Sequence, residues 1–389
     1  MSSILILGAG TQALAIVKSL HKSGNRLIFL VSETGNYSDV SRYVNKRIVS
    51  SFAVTSEDYL LLVKKTIQEE HIEVIIPMGD SVAEFLSLNK EELGKLAHFK
   101  MPSYENFMKG YDKNQLMSLC RDKGYPHPLT IDLSLVDYTD NERFKDFPFP
   151  GLLKPNCTTG GRGMVLINSY DELVKIYPTN KKTFGECHLQ QFIREGGSQV
   201  KLQLYVNEKG ELLNHSVMHK VRWYPIKGGA SCCSVSIENE KMVKICHKIL
   251  QDIHWVGFAD FDTIGNPDTG ELLIMEINPR LPACIGAAVN AGIDWGQIIL
   301  DDYLNRPQKQ YKYKEGIALR HLGFDILWFL KSPNRFKTQP SWFKFFGNKV
   351  YYQDFHFWDQ KPFWVGTHHN IKKLSNPEFK KSKSGTSKI

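Results

Sequence analysis

The stretch HWVGFADFDTIGNPDTGELLIMEINPR, residues 254–280, reads as two strands folded about a turn. Gly265, Asn266, Pro267, Asp268, Thr269 and Gly270 are hairpin punctuation. Alternate side chains of a strand share a face, so Asp260 and Asp262 point together on the first arm, and Glu276 and Asn278 on the second. Folding about the turn sets Asp260 roughly opposite Glu276, and a slip of a residue or two in register puts Asp262 there instead. Two carboxylates and an amide oxygen then converge, the hard ligands that magnesium takes when it also holds nucleotide phosphates. A solvated strand face is the bland alternative. Leu, Ile and Met beside Glu276 argue for burial, and buried carboxylates without a cation are costly, so the metal reading is preferred.

Working back from that hairpin, FPGLLKPNCTTGGRGMVLI (149–167) has an apolar strand ending at Lys154, a loop holding Gly160, Gly161 and Gly163, and a second apolar strand. Glycines let backbone amides close over phosphates while a lysine supplies charge, so this is a candidate phosphate lid. It is not a Walker A loop, because no Gly-Lys-Ser/Thr precedes a helix. The first 31 residues read strand, Gly8–Gly10 turn, helix and strand, the opening of a doubly wound α/β domain. EVIIPMGD (73–80) supplies a further buried strand with Asp80 or Ser81 as the cap of the next helix. Residues 104–124 read as one helix stopped by Gly124 and two prolines, and 151–305 looks antiparallel with interspersed helices.

The chain has 389 residues, 42% hydrophobic and 23% charged, which suits a soluble globular protein with more than one domain. No leader is expected, and apolar runs fall far short of the roughly 20 residues that span a bilayer. Seven scattered cysteines without a CxxC pair point to free thiols in a reducing cytoplasm. Cys157, near the glycine loop, lacks a basic partner in the sequence and is read as inert.

The ordered motifs resemble the ATP-grasp enzymes, a group including carbamoyl-phosphate synthase, biotin carboxylase and many carboxylate–amine ligases, from the first residue to about 305. The fold class expected is α/β and α+β: a Rossmann-like pre-ATP-grasp domain (1–104), then a two-lobed ATP-grasp domain (105–305). Its lid lobe covers about 128–190 and its large lobe about 191–305; an accessory C-terminal region (306–389) ends in a disordered basic tail. The resemblance implies that Lys113 and Lys154 reach nucleotide phosphate under the Gly160, Gly161, Gly163 lid, and that backbone groups near Gln191 and Ile193 bind adenine. It implies Asp260, Glu276 and Asn278 as metal ligands and Arg280 facing the transferring phosphate, with ATP and Mg2+ as cofactors and Mn2+ as a substitute ion. Departing from the pattern, Gly196 to Lys201 offers no acidic residue for the ribose, which stays unassigned. Arg222, and with less weight Lys220, falls where a strand should face the cleft and meet the γ-phosphate or a substrate carboxylate.

The activity implied is activation of a small-molecule carboxylate as an acyl phosphate, then capture by an amine. A non-catalytic nucleotide-binding module and a NAD-dependent oxidoreductase using GAGTQA are the rivals. The aromatic and basic residues around SWFKFFGNKVYYQDFHFWDQKPFW (341–364) could stack on bases or rest in a headgroup layer, but packing of a small accessory lobe is preferred. No nucleic-acid partner is expected, and self-association is left open.

Overall fold

The computed structural model describes residues 1–158, 160–226 and 229–375. Ser3–Leu7 (β1), Arg26–Val31 (β2), Lys46–Val49 (β3) and Val74–Pro77 (β4) form a parallel sheet in the order β3-β2-β1-β4. Ile4 to Leu7 and Val74 to Ile76 are buried, which is why β1 and β4 read as unbroken apolar runs. Gly8 and Gly10 adopt φ of 92° and 140° where β1 turns into the helix Thr11–Lys22. That turn is closed by the chain itself: the Gly10 amide donates to Ser38 Oγ at 3.1 Å and Gln12 Nε2 to the Met78 carbonyl at 2.8 Å. The helix after β4 is capped by Gly79, so Asp80 is its first residue and not its cap.

The single helix expected over 104–124 is two, Tyr104–Tyr111 and Lys113–Lys123. Asp112 leaves helical space between them, with φ −70° and ψ 113°, and its carboxylate accepts from the amides of Asn114 and Gln115. An N-cap inside an apparently helical run thus restarts the helix and sets Lys113 at its first position.

Thr130–Asp132 (β5), Gly151–Pro155 (β6), Val165–Ile167 (β7) and Cys187–Gln191 (β8) form an antiparallel sheet ordered β5-β8-β6-β7, with the helix Tyr170–Phe184 against it. This lobe has its own core, built on Leu153, Ile167, Leu173, Tyr177 and Leu189, separate from the main one.

The larger sheet runs β13-β12-β9-β10-β11-β14-β15. Its strands are Gln199–Val206 (β9), Leu212–Tyr224 (β10), Ala230–Ile237 (β11), Gly257–Gly265 (β12), Leu272–Asn278 (β13), Ala318–Arg320 (β14) and Val350–Tyr352 (β15). All neighbours are antiparallel except β14 and β15. The C-terminal region is therefore no separate lobe, since it adds two strands to this sheet. It also grips the first domain: Gln353 Nε2 donates to Thr11 Oγ1 at 2.5 Å, and Ser41 bonds Asp359. Trp342 is packed as expected, stacked on Phe329 at 4.0 Å, whereas Phe357 and Trp364 stay about two-thirds exposed, at 66% and 65%. The basic tail lies outside the described residues.

At the far end of the sheet, Asp325 of the helix Leu322–Lys331 is fully buried between two guanidiniums. Arg222 Nε and Nη2 reach its two oxygens at 2.7 and 3.0 Å, and Arg320 Nε reaches it at 2.6 Å. Removing the one anion would strand two buried cations, so Asp325→Ala is expected to lower unfolding free energy by about 3–5 kcal/mol in a denaturant titration. Replacing both arginines by methionine in that background should recover part of the loss; a change under about 1 kcal/mol for Asp325→Ala would contradict the account.

Candidate functional site

Between the lid sheet and the larger sheet lies a cleft of about 290 Å³. Lys113, Lys154, Gly160, Gly161, Asp262 and Glu276 all line it, with Arg162, Gln199 and Lys220. Lys113 Nζ touches both sides, donating to the Thr158 carbonyl of the lid loop at 2.8 Å and lying 3.2 Å from Glu276 Oε2. Lys154 Nζ donates to Gln190 Oε1 at 2.6 Å, a neutral partner. Gly160 and Gly161 take φ of 64° and 71°, which favours glycine. Gly163 lies behind the lining, where an added Cβ would meet Phe184 and Pro155 within 2.8 Å.

The register of the carboxylate hairpin differs from expectation. From the turn, Gly265 pairs with Leu272 and Thr263 with Ile274, but then Asp262 pairs with Glu276 and Asp260 with Asn278. The shift between Asp262 and Thr263 is a bulge that passes over Met275. In an unbroken ladder Asp262 would face Met275; the bulge sets the two carboxylates opposite each other at the cleft wall. Asp260, placed opposite Glu276 by sequence reasoning, is instead fully buried beneath them.

Lys201 on β9 holds that layer together, with Nζ 2.9 Å from Asp260 Oδ2 and 2.7 Å from Asp262 Oδ1. Gln203 Nε2 donates to Asp260 at 3.1 Å. Asn278 Nδ2 donates to Asp262 Oδ2 at 3.2 Å, while its Oδ1 accepts from Arg280 Nη2 at 3.1 Å. Arg280 also pairs with Asp80 at 3.1 Å, which joins the site to the first domain and gives Asp80 an ion-pair role where capping was expected.

Residues 136–290 match the family described as carbamoyl-phosphate synthase L chain, ATP binding domain. The chain is 24% identical over 295 residues to a D-aspartate ligase of Enterococcus faecium, covering 70% of each chain. It is 23% identical over 235 residues to the C-terminal section of the carbamoyl phosphate synthase large chain of Methanopyrus kandleri, covering 58% of this chain but only 42% of that one. Its fold is similar to the biotin carboxylase domain of 2-oxoglutarate carboxylase from Hydrogenobacter thermophilus, solved with magnesium ADP and bicarbonate. That likeness has a TM-score of 0.66 at 17% identity and covers 82% of this chain and 73% of the other. The family match, the relatives and the shared fold together support the ATP-grasp superfamily.

Within this ATP-grasp fold, not every expected residue reaches the cleft. Gln191 and Ile193 are absent from its lining; the Gln191 amide donates to the Leu129 carbonyl at 2.8 Å, and Ile193 is buried. Arg222 is turned wholly away, onto Asp325, although Lys220 two residues earlier lines the cleft. Strand alternation would put both on one face, but the pairing with β11 shifts between Lys220 and Arg222, and the irregularity separates them. Lys201 was missed, yet its signal is present: Gln199, Lys201 and Gln203 alternate with buried Val200, Leu202 and Leu204.

Asp262 and Glu276 suit a divalent cation. Magnesium bound to phosphates takes one or two protein carboxylates, and here two face each other with Lys113 and Lys201 beside them. Among the described residues no group of three or more His, Cys, Asp and Glu could hold a metal unaided. Burial pushes the Asp262 carboxyl up, but Lys201 and Lys220 outweigh it and keep the group ionised. Burial pushes Asp260 upward against Lys201. Cys157 is an exposed residue, but partial burial of its thiol and the neighbouring Asp112 push it upward, in keeping with an inert thiol.

Burial lowers Lys154 to about 8, with Lys113 adding to the effect and Glu276 opposing it. A phosphate placed at Lys154 would favour its charged form and raise that value again. Nucleotide binding at pH 8 to 9 should therefore take up a proton, and affinity should fall as pH rises from 7 to 9.5, by at most about tenfold per pH unit. Calorimetry in two buffers of different ionisation enthalpy measures the uptake; Lys154→Met should bind more weakly and lose this component. Proton release by the wild type in that window would contradict the placement.

Proposed function

We propose that the chain is an ATP-dependent ligase that activates a carboxylate as an acyl phosphate and joins it to an amine. The observation that carries this reading is the convergence on one cleft of Lys113, Lys154, the Gly160–Gly161 loop, and the opposed Asp262 and Glu276. Likeness to a D-aspartate ligase and to carbamoyl phosphate synthase supports a reaction of this class.

On this reading Lys113 and Lys154 hold the nucleotide phosphates, and the glycine loop covers them and excludes water. Glu276 and Asp262, with Asn278 turned to offer its amide oxygen, would hold magnesium; Asp260 serves beneath as the anchor of Lys201 and Arg280. When bound, the ion neutralises charge on the phosphate oxygens. Lys220 and Arg280 orient the carboxylate substrate and offset charge on the transferring group. A carboxylate oxygen attacks the γ-phosphorus, the bond to the β–γ bridging oxygen breaks, and ADP leaves. The amine nitrogen then attacks the acyl carbon, phosphate departs with the bonding pair, and the amine proton passes to solvent.

Every recognised group is committed to the terminal phosphates, which favours ADP and phosphate over AMP and pyrophosphate as products. Hydroxylamine with the true carboxylate should yield a hydroxamate while ADP accumulates; AMP and pyrophosphate would refute the mechanism. Glu276→Gln should keep the fold and lower kcat by roughly 100-fold or more, since one electrostatic contact at such a transition state is worth about 3–4 kcal/mol. Wild-type turnover in a folded Glu276→Gln protein would sink the metal assignment.

A further inference from the structure

Between Asp325 and Asp354 the chain carries no acidic residue but has Lys331, Arg335, Lys337, Lys344 and Lys349. The structure divides this segment into two sides. Inward, Trp328 is buried, Trp342 Nε1 donates to the Asp325 carbonyl at 3.0 Å, and Arg320 Nη1 donates to the Lys344 carbonyl at 2.9 Å. Phe345 lies under the Arg320 guanidinium at 4.5 Å. The segment is thus tied to the buried Asp325 triad.

Outward, Leu330, Phe336, Phe343 and Phe346 are 62%, 70%, 58% and 87% exposed. Phe336 and Phe343 stack at 6.3 Å, both against Phe329, and Arg335 lies 5.5 Å over Phe336. An exposed Phe336–Phe343 pair, with Phe346 three residues on and more exposed still, is unusual for a free surface and marks a contact face. Phe336 and Phe343 stack on each other, which leaves fewer free ring faces for nucleobases. Exposed apolar rings on a segment with five cations and no anion complement a surface that is negative outside and apolar within.

We propose that this face docks the protein on an anionic lipid bilayer, with Phe336, Phe343 and Phe346 entering the headgroup layer and the five cations pairing with lipid charge. The proposal is independent of the ligase reading. It separates the inward Trp342 and Phe345, for which packing was expected, from the exposed Phe336, Phe343 and Phe346, which do not pack inward.

The test is flotation of the full chain with vesicles of phosphatidylcholine alone or with one-quarter phosphatidylglycerol, at low and at high salt. Binding is expected only to the anionic vesicles, and weaker at high salt. Phe336→Ser/Phe343→Ser/Phe346→Ser should weaken it at least tenfold. Lys331→Glu/Lys337→Glu/Lys344→Glu should do so by about fivefold or more per charge. Reversal of Lys175, Lys182 and Lys209, exposed elsewhere, should have little effect. All these substitutions are at the surface, and unchanged nucleotide affinity checks that the variants fold. The proposal is overturned if the chain binds neither vesicle, or if the patch variants bind as well as wild type. It is equally overturned if the phenylalanine variant alters only self-association in sedimentation, or if RNA is bound in place of vesicles.

Discussion

The site depends on one partly buried cation, Lys201, held between Asp260 and Asp262. Carboxylates in the interior must be paired or protonated, and Asp260 is fully buried on a strand whose neighbours are core residues. Lys201 answers both carboxylates from β9, directly across the pair from Asp262. Arg280 extends the alternation of charge to Asp80 at the start of the helix after β4, so the cleft floor and the first domain share a continuous set of ion pairs. Removing Lys201 would leave Asp262 without its nearest cation and Asp260 with only the more distant Arg280, 3.7 Å away, so Lys201 orients the cleft carboxylates.

The same rule operates at the Asp325 triad, with a different balance. There both guanidiniums find a carboxylate and further acceptors: Arg222 donates to the Pro340 carbonyl and Arg320 to that of Lys344. In the cleft, by contrast, Lys154 has a neutral amide as its partner, and Lys220 is depressed by burial. Cations that burial disfavours and no anion fully answers are the groups an incoming phosphate or carboxylate can stabilise. The difference between a structural and a ligand-receptive charge here lies in whether the fold itself completes the pairing.

Much of this was legible in the sequence where a local rule acts alone. The apolar runs of β1 and β4, the glycine loop after Lys154 and the turn at 265–270 follow from burial and turn chemistry. What escaped was set by single-residue irregularities. The bulge beside Met275 decides between the two registers the sequence left open, setting Asp262 rather than Asp260 opposite Glu276, and strand alternation cannot make that choice. A second irregularity sends Lys220 to the cleft and Arg222 to the far side. Asp112 looked like part of a helix because its neighbours suit one, yet its capping of Asn114 and Gln115 breaks the run. Asp325, the partner that claims Arg222, lies 103 residues away along the chain, beyond the reach of any local pattern.

Lys113 makes the position of the lid and the charge of the cleft a single variable. Its ammonium donates to the Thr158 carbonyl, in a lobe with its own core, while lying against Glu276 on the large sheet. A lysine has three protons to donate, so a phosphate can join these two acceptors or displace one of them. If it displaces Glu276, that carboxylate loses a cation at the moment when a phosphate-bound magnesium could replace it. If it displaces Thr158, the loop loses its tie to the opposite wall and must gain contacts to the phosphate through Gly160 and Gly161. On the proposed reading the first exchange suits closure, because it keeps the lid tied through Lys113 while giving Glu276 a stronger partner. The position of Lys113 immediately after the Asp112 cap then matters for more than helix geometry, since it sets one side chain within reach of both lobes.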